Sequence, residues 1–152
     1  MRTLQFAQIY KIFTLIYFGA MFFACQHSYS QEEKKELKEK IEAIYKKKPA
    51  SELEKEYDKI EAETKARIGK LIADGKASSG ELFSMIENRT NAALREYNDY
   101  FMNSVKGDSK LKKYFENLKP YGNDVPIEEF NFYGTPIKKA LLKDLGLSID
   151  NI

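Results

Sequence analysis

Residues 80–105 read GELFSMIENRTNAALREYNDYFMNSV. Leu82, Phe83, Ile86, Ala93, Leu94, Tyr97, Phe101 and Val105 recur at the three- and four-residue intervals that line one side of an α-helix. No other segment has so wide an apolar face, so this helix is the expected central element of the core. Ser78-x-x-Glu81, just before it, is a capping box: the serine hydroxyl and the glutamate carboxylate satisfy each other's backbone N–H groups at a helix start. Gly107 and Asp108 end the segment. Asp108 is placed to cap a short following helix over 109–118, with Leu111, Tyr114, Phe115 and Leu118 inward.

Working towards the N-terminus, Ser51-x-x-Glu54 is a second capping box, opening a helix that Gly75 stops. Leu53, Tyr57, Ile60, Thr64, Ile68 and Leu71 form its apolar stripe. The stripe is narrow and the remaining positions are charged, closer to a coiled-coil seam than to a deeply buried helix. An earlier helix over 32–47 presents Leu37, Ile41, Ile44 and Tyr45. It ends in Lys46-Lys47-Lys48, suited to the negative end of the helix dipole, and in Pro49. The short Pro-containing turn predicts an antiparallel hairpin between these two helices.

Towards the C-terminus, residues 119–134, KPYGNDVPIEEFNFYG, hold two prolines and two glycines. Tyr121, Ile127, Phe130, Phe132 and Tyr133 are too apolar to stay solvated, so the segment is expected to wrap the bundle in extended form. Thr135-Pro136 supplies an N-cap and a first-turn proline. A last helix over 136–145 then turns Ile137, Leu141, Leu142 and Leu145 inward, and Gly146 ends it. The expected fold is all-α: one domain over residues 31–152, a small bundle of about five helices with an antiparallel helical hairpin and an extended aromatic C-terminal connection.

Residues 1–30 have a different composition. MRTLQFAQIYK carries Arg2 and Lys11 and no acid, IFTLIYFGAMFFA is uncharged and apolar, and CQHSYS is polar and small. That order is the pattern of a secretory signal peptide. The apolar run of residues 12–24 is shorter than the roughly 20 residues of a spanning helix. Ser28 and Ser30 suit signal peptidase cleavage after Ser30. Cys25, directly after Ala24, resembles a bacterial lipobox cysteine, with Phe22 departing from the usual aliphatic residue. The alternative is therefore a lipoprotein signal over 1–24 with Cys25 lipidated. The protein is expected to be secreted or periplasmic, or a lipoprotein anchored to the membrane only through Cys25.

Removing the signal changes the chemistry available. The chain has 25 basic and 23 acidic residues, so loss of Arg2 and Lys11 leaves 23 of each. The two signs are evenly spread, and the one-sided basic footprint of a nucleic-acid binder is missing. Cleavage after Ser30 also removes the single Cys and the single His of a chain without Trp. Ordinary zinc sites and Cys–His or Ser–His catalysis are then excluded by inventory.

The remaining motifs are weak. Asp74-Gly75-Lys76-Ala77-Ser78-Ser79-Gly80 lacks the spacing and the preceding strand of a phosphate-binding loop. Ser109-x-x-Lys112 lacks the partner motifs of the penicillin-binding enzymes. The sequon Asn88-Arg89-Thr90 lies mid-helix and matters only in a eukaryotic secretory route. Glu128 and Glu129 are the best-placed carboxylates for acid–base work, in a chain where acidic pairs arise readily by chance. Asn88, Asn91, Arg95 and Asn98 fall within about an 80° arc away from the apolar face of their helix. Asn is a weak helix former there, so the arc is either a tolerated solvent surface or a contact face for another chain or for the irregular segment. Tyr97, Phe101, Tyr114, Phe115, Phe130 and Phe132 form either a packed core or the lining of a small apolar pocket.

No residue is assigned to catalysis, to a cofactor or to a metal. The expected function is a non-enzymatic exported protein that contacts another protein. The alternatives are a carrier of a small apolar ligand and a carboxylate-based hydrolase.

Overall fold

A computed structural model describes residues 29–122 and 125–147; residues 1–28, including Cys25, lie outside the described part. Gln31–Ile152 group as one compact unit. Its described elements are helical throughout: α1 (Gln31–Lys47), α2 (Ala50–Ala73), α3 (Ser79–Lys106), α4 (Ser109–Leu118), a 3-10 turn (Ile127–Glu129) and α5 (Thr135–Leu145). The fold is the all-α bundle that the periodicity predicts. No described helix is long and apolar enough to cross a membrane.

Local chemistry sets the helix ends. Ser78 caps α3 in a complete capping box with Glu81, and Asp108 caps α4 by accepting from the Lys110 and Leu111 N–H groups. Beyond α2, the Gly75 N–H donates to the Ile72 carbonyl and the Lys76 N–H to that of Leu71. This is a Schellman stop, and Gly75 supplies the left-handed φ of +68° that it requires. The capping box expected at Ser51 and Glu54 does not form. Pro49, extended at φ −73° and ψ 152°, is the N-cap of α2 without a side-chain bond. Its carbonyl takes the Glu52 N–H at 3.0 Å, which places Ser51 inside the first turn.

The antiparallel hairpin forms between α2 and α3, not between α1 and α2. Thr64 and Glu63 face Arg89, while Tyr45 of α1 lies beside Phe101 further along α3. Lys48 and Pro49 carry the chain from α1 into α2 without reversing it, so both helices run antiparallel to α3. The reversal comes at residues 74–78.

Burial divides the unit in two. Between Ala50 and Tyr100 the buried side chains are Leu53, Ile60, Thr64 and Ile68. The rest of the core is a head built from α1, the end of α3, α4, the aromatic connection and α5. Phe101 is at its centre, stacked on Phe132 at 4.5 Å, with Tyr45 at 4.5 Å and Phe115 at 5.8 Å. Such ring pairs add about 0.5–1.5 kcal/mol each to the area they bury. α1 is also tied in by polar contacts, Lys34 to Asp144 at 2.5 Å, Lys40 to Asp108 at 2.6 Å and Lys110 to Glu36 at 2.7 Å. These are partly exposed pairs and contribute little individually.

The extended connection lacks a sheet partner, so side chains satisfy its backbone. The Tyr121 hydroxyl donates to the Asn131 carbonyl (3.2 Å) and accepts from the Asn131 N–H (3.3 Å). The Tyr45 hydroxyl donates to the buried Phe132 carbonyl, and Asn98 Oδ1 accepts from the Phe132 N–H at 3.1 Å. The Tyr133 hydroxyl donates to the Lys48 carbonyl at 2.8 Å, pinning the junction of α1 and α2.

Candidate contact surface

Among the described residues the α2/α3 hairpin is two helices thick, so each helix is covered on one side only. Its seam is partly polar. The Thr64 hydroxyl donates back to the Ile60 carbonyl at 2.6 Å and accepts from Arg89 at 2.9 Å. The other arm of Arg89 reaches Glu63 at 2.7 Å and holds that carboxyl below its usual range. At the turn, the Ser78 N–H and hydroxyl do the same for Glu81.

The apolar face of α3 is not uniformly buried, contrary to its expected role as a continuous core element. Only Phe101, Met102 and Val105 are buried on it. Nearer the turn, Phe83 is 68% exposed and Leu71 of α2 is 39% exposed. Ile72, Leu82, Met85 and Ile86 are half-buried around them. The cause is the narrow seam of α2, which covers less width than α3 offers, with no third helix among the described residues beside it.

The predicted Asn/Arg face divides between two roles. Asn88, Asn91 and Arg95 are exposed on α3. Asn98 turns into the head, where it accepts from the Phe132 N–H. Asn88 sits mid-helix, and Thr90 of the sequon bonds back to the Ile86 and Glu87 carbonyls at 3.0 Å.

Five of the six predicted pocket residues pack on one another. Phe115 meets Phe101, Tyr114 and Phe132, and Phe130 lies 6.2 Å from Phe132. Tyr97 stands apart, against Tyr133 at 5.4 Å and under the Lys48 ammonium at 4.7 Å. Beside the cluster, Glu116, Lys119, Val125, Ile127, Glu128 and Phe130 line an open cleft of about 210 Å³. Glu128 and Glu129 are exposed on the 3-10 turn. Among the described residues no group of three His, Cys, Asp or Glu could hold a metal.

Compared with family models, curated proteins and solved structures, the chain matches none. The surface must be read from its own chemistry. Sequence periodicity missed the exposed pair Leu71 and Phe83, because a helical stripe marks apolar positions without saying whether a neighbour reaches them. The mismatch in width between a narrow α2 stripe and a wide α3 face was the available signal.

Proposed function

We propose that this chain is an exported, non-enzymatic helical protein that acts by contacting another protein, with the α2/α3 hairpin as its contact element. The observation carrying this reading is Phe83, 68% exposed near the end of a two-helix projection. A large aromatic side chain left in water forgoes about 1.5–3 kcal/mol of burial free energy. Exposed aromatics of this kind are favoured anchors in protein interfaces. Asn88, Asn91 and Arg95 extend the same helix as a polar rim.

Export rests on the basic, apolar and small-residue order of residues 1–30. It places the mature domain in the periplasm, at the cell surface or outside. The intact mass of the exported protein tests this part. A mass beginning at Gln31 supports signal cleavage, and a diacylated Cys25 supports the anchored form. A chain that retains Met1 refutes export with processing.

Photocrosslinking tests the contact. A benzophenone amino acid replaces Phe83 or Asn91 in the native host, with Lys112 on α4 as the control position. Adducts from the two hairpin positions and none from the control are expected. Adducts from the control alone, or none at all, would remove the hairpin from consideration.

A further inference from the structure

Six of the eleven charged residues of α2 fall in one line. Glu52, Glu56, Lys59, Glu63, Arg67 and Lys70 follow one another at intervals of four, three, four, four and three residues. At about 100° per residue they occupy an arc of about 80° on one side of the helix. Glu52, Lys59, Glu63, Arg67 and Lys70 are exposed, and Glu56 is half-exposed. Read from either end, the stripe has a property that single charges do not: reversing it exchanges every sign. With residue 61 of α2 set against residue 61 of an antiparallel copy, Glu52 faces Lys70, Glu56 faces Arg67 and Lys59 faces Glu63. The levels agree to within one residue, about 1.5 Å along the axis.

Two ordinary explanations fall short. The helix dipole favours acid at the start and base at the end, but its influence fades within the first and last turns. It accounts for Glu52 and Lys70, not for the four residues between them. Pairing within the chain accounts for two contacts, Lys59 with Glu56 at 3.8 Å and Glu63 with Arg89 at 2.7 Å. Among the described residues Glu52, Arg67 and Lys70 join no ion pair. Like charges also sit side by side at both ends, Glu52 with Glu56 and Arg67 with Lys70, an arrangement that costs an isolated helix stability.

We infer that the partner of this face is a second copy of the same chain, docked antiparallel along α2 about a two-fold axis near residue 61. This deepens the proposed function and rests on its assignment of the hairpin as the contact element. A two-fold interface must be self-complementary, and an antiparallel, sign-reversing stripe meets that condition. The exposed Leu71 lies about 40° beyond Arg67 on the helix and contributes apolar area at the edge of the contact. With so much charge, the association is weak and salt-sensitive.

Charge exchange in the full exported protein tests this. Sedimentation velocity is run on the wild type, on R67E/K70E, on E52K/E56K and on their equimolar mixture, with helicity by circular dichroism as the folding control. The wild type is expected to dimerise in about 20 mM salt and to weaken at least roughly tenfold near 500 mM. R67E/K70E has acid at both ends and E52K/E56K has base at both ends, so each alone becomes monomeric. Mixing restores a dimer, because the acidic ends of one meet the basic ends of the other. A wild type that stays monomeric in low salt, variants that dimerise as well as the wild type, or a mixture no tighter than its components would each overturn the inference. A monomer whose hairpin still crosslinks to a different polypeptide sinks the dimer alone; a hairpin that does neither sinks the contact reading as well.

Discussion

Tyr45→Phe isolates a single interaction in the head. Tyr45 is buried, its ring packs on Phe101 at 4.5 Å and on Tyr133 at 5.5 Å, and its hydroxyl donates to the Phe132 carbonyl. Phenylalanine keeps both ring contacts and removes only the donor. The Phe132 carbonyl then stays buried in an extended segment that offers it no backbone partner. The cost is that of leaving a buried acceptor unpaired, about 1–3 kcal/mol. For a domain of this size that corresponds to a fall in Tm of roughly 4–12 °C. Tyr45→Ala, which also loses the ring, is expected to cost about 3–5 kcal/mol or to prevent folding. Urea unfolding followed by circular dichroism at matched m-values gives both numbers. A Tyr45→Phe change below about 0.3 kcal/mol alongside a large Tyr45→Ala change would refute the reasoning, since packing alone would then hold the connection in place.

Burial raises the Tyr45 and Tyr133 phenols well above their ordinary value near 10, so above about pH 10 the folded state holds protons that the unfolded state has lost. Stability is therefore expected to fall as pH rises beyond 10, with phenolate absorbance from these two rings appearing only on unfolding. Asp108→Ala removes the N-cap of α4 and the Lys40 contact, and is expected to cost about 1 kcal/mol by chemical denaturation. The Lys40 ammonium and two backbone N–H groups hold the Asp108 carboxyl below its usual value of 3.8; its contribution is thus present above pH 4 and lost as pH falls below it. Phe83→Ser should change unfolding free energy by less than about 0.5 kcal/mol, because the ring is mostly exposed, while abolishing crosslinks from Asn91. Asn98→Ala deprives the Phe132 N–H of its acceptor, so faster amide exchange at Phe132, with α2 unchanged, is the expected signature.

The helices were legible because each carries its own apolar period and its own stop signals. Gly75, Asp108 and Gly146 ended or opened elements where local chemistry demanded it. Which helix covers which was not legible. The Lys48-Pro49 link is short, and shortness alone suggested a hairpin between α1 and α2. Pro49 instead passes the chain onward in extended form, and α3 is long enough to receive both helices in turn. The polar arc on α3 stands out in the sequence, yet a helical wheel cannot separate Asn98, which bonds to Phe132, from Asn91, which meets solvent. That difference depends on where the aromatic connection crosses, and the crossing is fixed by residues more than 30 positions away. The aromatic residues were similarly ambiguous until the rings of Phe101, Phe115 and Phe132 met one another directly.

The uneven distribution of burial also bears on why the hairpin exists. The three buried aliphatic side chains, Leu53, Ile60 and Ile68, supply about 1.5–3 kcal/mol each, whereas ordering one residue's backbone costs about 1–2 kcal/mol. Backbone hydrogen bonds and capping offset part of that cost, but a two-helix element with so thin a seam is marginal by itself. It is held because the last turns of α3 bury Phe101, Met102 and Val105 in the head, which fixes the helix at one end and leaves the rest to extend. A shorter hairpin would cost the head nothing. Extending α2 and α3 well past the core therefore gains surface at the expense of stability, and the features concentrated on that surface are an exposed aromatic, a polar arc and a sign-reversing line of charge. Of these, the aromatic ring is the one that loses free energy by staying in water.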